Sequence, residues 1–183
     1  FCEHGFDGCS IRDIANQASV SHGVIRHHFG SKQDIWNAIA QSALTSYKAI
    51  LLPQVLTASQ SDSPLEAFKN LVCSFIRLTE QRPELVRLIA REGASENERS
   101  LLFKEEFTAI HKHISVLFER AKTLCPPLAR HTSDSFFLFL LSLTIVPIVL
   151  PSIAGFLDIA KQTDSNSKLR EELIIATLFS EQG

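Results

Sequence analysis

Apolar residues recur along the chain at the three- and four-residue steps of α-helices, and no stretch alternates apolar with polar positions as a half-buried strand would. Between Ser10 and Lys32 the pattern predicts two short helices and a turn. Ile11, Ile14, Ala15 and Ala18 line one side of the first, Ala18-Ser19-Val20 makes the turn, and Val24, Ile25 and His28 or Phe29 are the inward candidates of the second. Three serines stand where helices should start. Ser10 precedes Asp13 by three residues, Ser21 leads the second helix, and Ser31 precedes Asp34 by three, so each hydroxyl can accept from the orphan amides of a first turn. A longer helix starts at Ser31, with Ile35, Ile39, Ala43, Tyr47, Ile50 and Leu51 in helical register and Trp36 in the small core beside it. Pro53 should end or kink it near Leu52.

Thr57 to Pro64 reads as a loop, and Pro64 opens a helix whose stripe is Leu65, Phe68, Leu71, Val72, Phe75 and Ile76. A short helix is expected from Pro83 to about Glu92. A long one follows from Glu96 to Thr123, with Phe103, Phe107, Ile110, Ile114, Leu117 and Ala121 at alternating four- and three-residue steps before Pro126-Pro127. Phe136 to Leu157 is 22 residues without a charge, long enough to span a bilayer. Pro147, Pro151 and Gly155 within it, and the lack of a basic cluster at either end, favour instead a helix buried twice, against its own core and against a partner subunit. A last helix should run from Lys168 to about Ser180, with Leu169, Leu173, Ala176 and Leu178 inward. The expected fold class is all-α: a DNA-binding-type head with its connecting helix over residues 1–52, then a helical domain over 53–183.

Composition narrows the function. A chain of 183 residues, 45% hydrophobic and 21% charged, is globular. Its net charge of −2 argues against nonspecific coating of nucleic acid but not against a local cationic site. Such a site is visible: no acidic residue lies between Ile14 and Gln33, while His22, Arg26, His27, His28 and Lys32 all do. Cys2, Cys9, Cys73 and Cys125 have no paired or metal-finger spacing, which fits free thiols in a reducing cytoplasm. Nothing converges as an enzyme's groups must. His111 and His113 point to different sides of one helix, and no P-loop, G-x-G-x-x-G or G-x-S-x-G occurs, so neither a metal nor a cofactor is expected.

Two short helices joined by a tight turn, the second carrying polar groups, make a helix-turn-helix reader of duplex DNA. On the second helix His22, Val24 and His27 are candidates for base edges, and Gly23 would let a backbone approach closely. Arg12, Arg26, Lys32 and the hydroxyls of Ser10 and Ser21 are candidates for phosphates.

At these residues a resemblance becomes specific. Phe6, Ile14-Ala15, Ala18, Val20-Ser21, Gly23, Ile25, His28-Phe29 and Ser31-Lys32 resemble the N-terminal domain of the TetR family of one-component transcriptional repressors, over about the first 45 residues. Arg26 stands where that family usually has a phosphate-touching Tyr; a guanidinium can make the same contact with a full charge. Phe1 to Gly5 would be the tail of the family's first helix, whose start lies outside the chain. The resemblance implies a cytoplasmic homodimer on a palindromic operator, released by a largely apolar small-molecule inducer held in the body. Phe68, Phe75, Phe103, Phe107, His111 and Phe137 are the candidate pocket, and Thr132 to Ile159 with the last helix the candidate dimer surface. The rival expectations are a carrier of apolar ligands with an idle head, and a membrane-associated helical protein.

Overall fold

The computed structural model describes residues 1–93, 97–150 and 164–180, and all regular structure among them is helical. After hydrogen-bonded turns over the first eight residues come α1 (Ile11–Gln17), α2 (His22–Phe29) and α3 (Lys32–Ser59). The body follows with α4 (Pro64–Gln81), α5 (Pro83–Gly93), α6 (Glu98–Lys122), α7 (Pro126–Ala129), α8 (Ser133–Val149) and α9 (Asp164–Phe179).

The caps read from the sequence are all made. Asp13 N donates to Ser10 Oγ at 3.1 Å while Ser10 N donates back to Asp13 at 2.9 Å; Ser31 and Asp34 repeat the box with the same two distances. Val24 N donates to Ser21 Oγ at 3.3 Å. α1 stops because Ser19 takes a left-handed φ of 56° and Val20 N returns 3.0 Å to Ala15 O, closing the last turn. Only Ile25 of α2 is buried. It packs with Ala15 and Ile35 in a small core to which Ile11 and Ile14 add, while Val24, His28 and Phe29 face outward.

α3 does not stop at Leu52. Its buried face is Trp36, Ala40, Leu44, Tyr47, Leu51, Val55 and Ala58, whereas the expected Ile39 and Ile50 are exposed. A proline inside a helix costs about 3 kcal/mol. Burying Leu51 and Val55 on either side of Pro53 recovers about 1.5–3 kcal/mol each, enough to carry the helix on to Ser59. The division expected at 52/53 therefore falls within one continuous rod that joins head to body.

In the body α4 is central, contacted by α3, α6, α8 and α9. One apolar cluster runs from Tyr47 and Leu51 through Phe68, Phe75, Phe118 and Phe136 to Leu178. α8 also passes a proline. Pro147 would leave the Leu143 carbonyl unpaired, and Arg170 of α9 donates to it at 3.1 Å and to Thr144 O at 2.8 Å, its guanidinium steadied by Glu80 at 3.3 Å. α9 turns Ile174 and Leu178 inward; Leu169, Leu173 and Ala176, expected inside, are exposed. The fork of Arg77 on Glu171, at 2.7 and 2.8 Å, ties α9 to α4 in this rotation. No helix among the described residues is long and apolar enough to cross a membrane. The charge-free run enters α8, and its part from 151 to 157 lies outside the described residues.

Candidate DNA interface and ligand cavity

α1, the turn and α2 leave the predicted polar groups open to solvent. Ser10, Arg12, Ser21, His22, Gly23, Arg26 and His27 are exposed, and Val24 is 43% exposed. Arg12 and Arg26 pair with no described carboxylate. The acidic residues that bracket the surface, Asp13 and Asp34, are turned back onto Ser10 and Ser31. Those hydrogen bonds hold both carboxyls below their usual range, so their negative charge sits on helix N-termini. A Cβ on Gly23 would meet nothing nearer than Ser21 Oγ at 3.8 Å; the missing side chain leaves open surface rather than relieving a clash. Lys32 differs from the rest. It is half-buried with Nζ 4.3 Å above the Phe6 ring, at the edge of the surface.

Behind this surface the head docks on the body. Trp36 meets Phe103 edge-on at 5.9 Å in a cluster with Ala40, Leu44 and Leu88, so Trp36 belongs to the junction and not to the head's own core. The Phe6 ring lies between Lys32 and Arg99, whose guanidinium carbon is 4.1 Å from the ring centre and which pairs with buried Glu92 at 3.1 Å. Arg91 donates to Glu3 O at 2.6 Å. Sequence reasoning missed Phe6, Arg99 and Glu92 as a set, because residues so distant along the chain meet only through tertiary packing.

The predicted pocket residues divide. Phe68, Phe75, His111 and Phe137 line one cavity between α4, α6 and α8, together with Phe136 and with Phe118 and Ser133, the last two of which the helical stripes alone did not single out. The space is tight, about 20 Å³, or room for about one water. Phe103 and Phe107 do not line it. They continue from it: Phe137 lies 6.1 Å from Phe75, Phe75 6.5 Å from Tyr47 and Tyr47 5.7 Å from Phe107, one turn of α6 from Phe103 under Trp36. An unbroken aromatic series thus links cavity and junction, with α3 on its path. Burial raises Tyr47 well above the usual phenol range, so it stays neutral there.

Outside this interior, α8 and α9 leave apolar side chains uncovered. Leu138, Phe139, Val146 and Leu150 on one side, and Leu169 and Leu173 on the other, are each between 44% and 66% exposed.

Residues 1–39 match the family model described as bacterial regulatory proteins, tetR family. The HTH-type transcriptional repressor AcnR of Corynebacterium glutamicum is 39% identical over 41 residues, a match spanning 22% of each chain. The HTH-type transcriptional regulator BetI of Burkholderia mallei is 25% identical over 133 residues, 72% of this chain and 67% of BetI. Two solved structures share the whole fold. AibR, in complex with isovaleryl coenzyme A and operator DNA, superposes with a TM-score of 0.74 at 13% identity, over 99% of this chain and 92% of AibR. PfmR from Thermus thermophilus, described as a TetR family transcriptional regulator, gives 0.69 at 18% identity, over 100% of this chain and 92% of PfmR.

Proposed function

We propose that the chain, whose residues 1–39 match the family model of the tetR bacterial regulatory proteins, is a member of that family and a ligand-responsive transcriptional repressor acting as a homodimer in the cytoplasm. The observation that carries this reading is the exposed surface of the turn and α2, within a stretch from Ile14 to Gln33 that holds no carboxylate. Arg26 stands there with His22, Val24 and His27, and Arg12 is exposed on α1; neither arginine pairs with a described carboxylate, and a single residue of α2, Ile25, holds that helix from behind. α2 would enter a major groove, with His22, Val24 and His27 toward base edges. Arg12, Arg26 and the capping serines would take phosphates, and Lys32 would join them by leaving the Phe6 ring. Three cations per protomer give six phosphate contacts per dimer and a log–log salt slope of about −5.

The exposed apolar sides of α8 and α9 supply the pairing surface, which a second copy would cover. Two heads would then read half-sites about 34–36 Å apart centre to centre, or a multiple of that. Switching follows from the tight cavity. A ligand larger than water must move Phe137 and Phe75; Phe137 packs on Phe75, Phe75 packs on Tyr47 of α3, and α3 carries the head. The ligand therefore favours the arrangement of the heads that has room for it. A coupling of about 1–3 kcal/mol would weaken operator binding about 5–150-fold.

Selection of binding sites from random duplexes, repeated with candidate ligands present, tests the proposal. An enriched two-fold sequence, released by an apolar ligand, is the expected result. Failure to enrich any sequence, with binding that ignores salt, would overturn it.

A further inference from the structure

Two polar side chains, His111 and Ser133, stand in the cavity wall, and His111 carries an atom that neither DNA binding nor pairing uses. His111 on α6 approaches Asp134 on α8 with Nε2 2.7 Å from Oδ1. A carboxylate only accepts, so Nε2 carries the hydrogen, and whenever the ring is neutral its lone pair lies at Nδ1. That Nδ1 is buried and has no hydrogen-bond partner among the described residues. The ring itself leans on Phe137 at 5.0 Å, within the wall of the cavity. Buried polar atoms are rarely left unpaired in native proteins, and one carried by a residue of a cavity wall invites a donor from outside.

We propose that the body binds an apolar, preferably aromatic molecule bearing one hydroxyl, a phenol or alcohol, whose O–H donates to His111 Nδ1. The assignment rests on the ligand-responsive reading above and names the ligand class for it. The competing head groups fit worse. A carboxylate or phosphate brings only acceptors to a lone pair, finds no Lys or Arg among the described lining residues, and meets the Asp134 charge across the ring. An ammonium would donate, but its full charge would be buried among phenylalanines, since Asp134 is 85% exposed and turned to solvent. A pure hydrocarbon fills the space and leaves Nδ1 unpaired.

Three para-substituted benzenes of similar size separate these cases: cresol, xylene and toluate. The full chain is titrated with each by calorimetry at about pH 8, where an ordinary imidazole is neutral, while NMR follows the nitrogen shift of His111 Nδ1. Cresol should bind about tenfold more tightly than xylene, toluate more weakly than either, and only cresol should move the Nδ1 shift. His111→Phe, which keeps the packing on Phe137 and removes the acceptor, should bring cresol down to the level of xylene. His111→Gln, whose amide oxygen still accepts, should restore part of the preference. Equal affinities, a preference for toluate, cresol binding with the Nδ1 shift unmoved, or no binding by any of the three would each overturn the assignment. Operator binding is read on the same samples. Toluate releasing the operator would sink the hydroxyl assignment and leave the repressor reading intact. Cresol binding through His111 in a chain that holds no duplex would do the reverse.

Discussion

Head and body hold their helices together by different means. In the head only Ala15, Ile25 and Ile35 are buried together, and much of the order comes from serine caps within a few residues of the amides they satisfy. In the body a continuous apolar cluster joins α3, α4, α6, α8 and α9, and apolar residues still remain outside it. The small core frees the head's surface for polar chemistry, at the expense of dependence on the Trp36–Phe103 junction. The body has more apolar surface than one core can hold, and the surplus on α8 and α9 suits a second copy.

The sharpest way to break this comparison is to remove that surplus. Leu138→Glu, or Leu173→Glu, should leave the body folded, because both side chains are more than half exposed, and should yield monomers in sedimentation velocity with operator binding lost. A charge at Leu141 or Ile145 is a less clean test, since both are half-buried and Leu141 packs on the protomer's own core. An undisturbed dimer in Leu138→Glu would show that α8 does not pair.

Phe103→Ala attacks the dependence of head on body. It should cost about 3–5 kcal/mol, read by denaturant unfolding, because it opens a hole under Trp36. Hydrogen exchange should quicken in α1 and α2 before it does in α4. Uniform loosening would mean that the head is not the weaker unit.

Arg26→Ala asks what the head's free surface does. Binding should weaken alike on all duplexes, and the salt slope should flatten by about 0.9 for each phosphate no longer neutralised, about 2 per dimer. Loss confined to one base pair would make Arg26 a base reader.

The smallest effect concerns acid. Hydrogen bonds from Arg77 hold Glu171 below its ordinary range, so its contribution is complete above the ordinary value of 4.5 and is lost as pH falls through the lower folded value. Glu171→Gln should therefore melt below the unaltered protein at neutral pH, the gap closing as pH drops below about 4.5. A gap that widens in acid would remove this clamp from the account of how α9 is held.

The same contrast explains what could be read in advance. Ser10 with Asp13, Ser21 with Val24, and Ser31 with Asp34 lie three residues apart, so their hydrogen bonds are local and visible in the pattern. The exposure of Arg26 also follows, because a two-turn helix such as α2 has one inner side and Ile25 occupies it. In the body the inward stripes of α4 and α6 were legible, but the rotation of α9 was not. Leu169 and Leu173 keep the same helical spacing as Ile174 and Leu178, and the pattern does not say which stripe faces in. Packing of Ile174 and Leu178 on the body's core decides it, and the Arg77–Glu171 pair, 94 residues apart in sequence, holds α9 in that setting.

The amino-acid order alone determined an all-helical chain, the capped turn of its head and a cationic strip without carboxylates, because each depends on neighbours within one or two helical turns. Tertiary structure decided the rest. It carried α3 through Pro53, set Phe103 and Phe107 beneath the junction instead of in the cavity, and left Nδ1 of the cavity-lining His111 buried without a partner among the described residues. These outcomes depend on which distant surfaces share the same volume, and helical period carries no information about that.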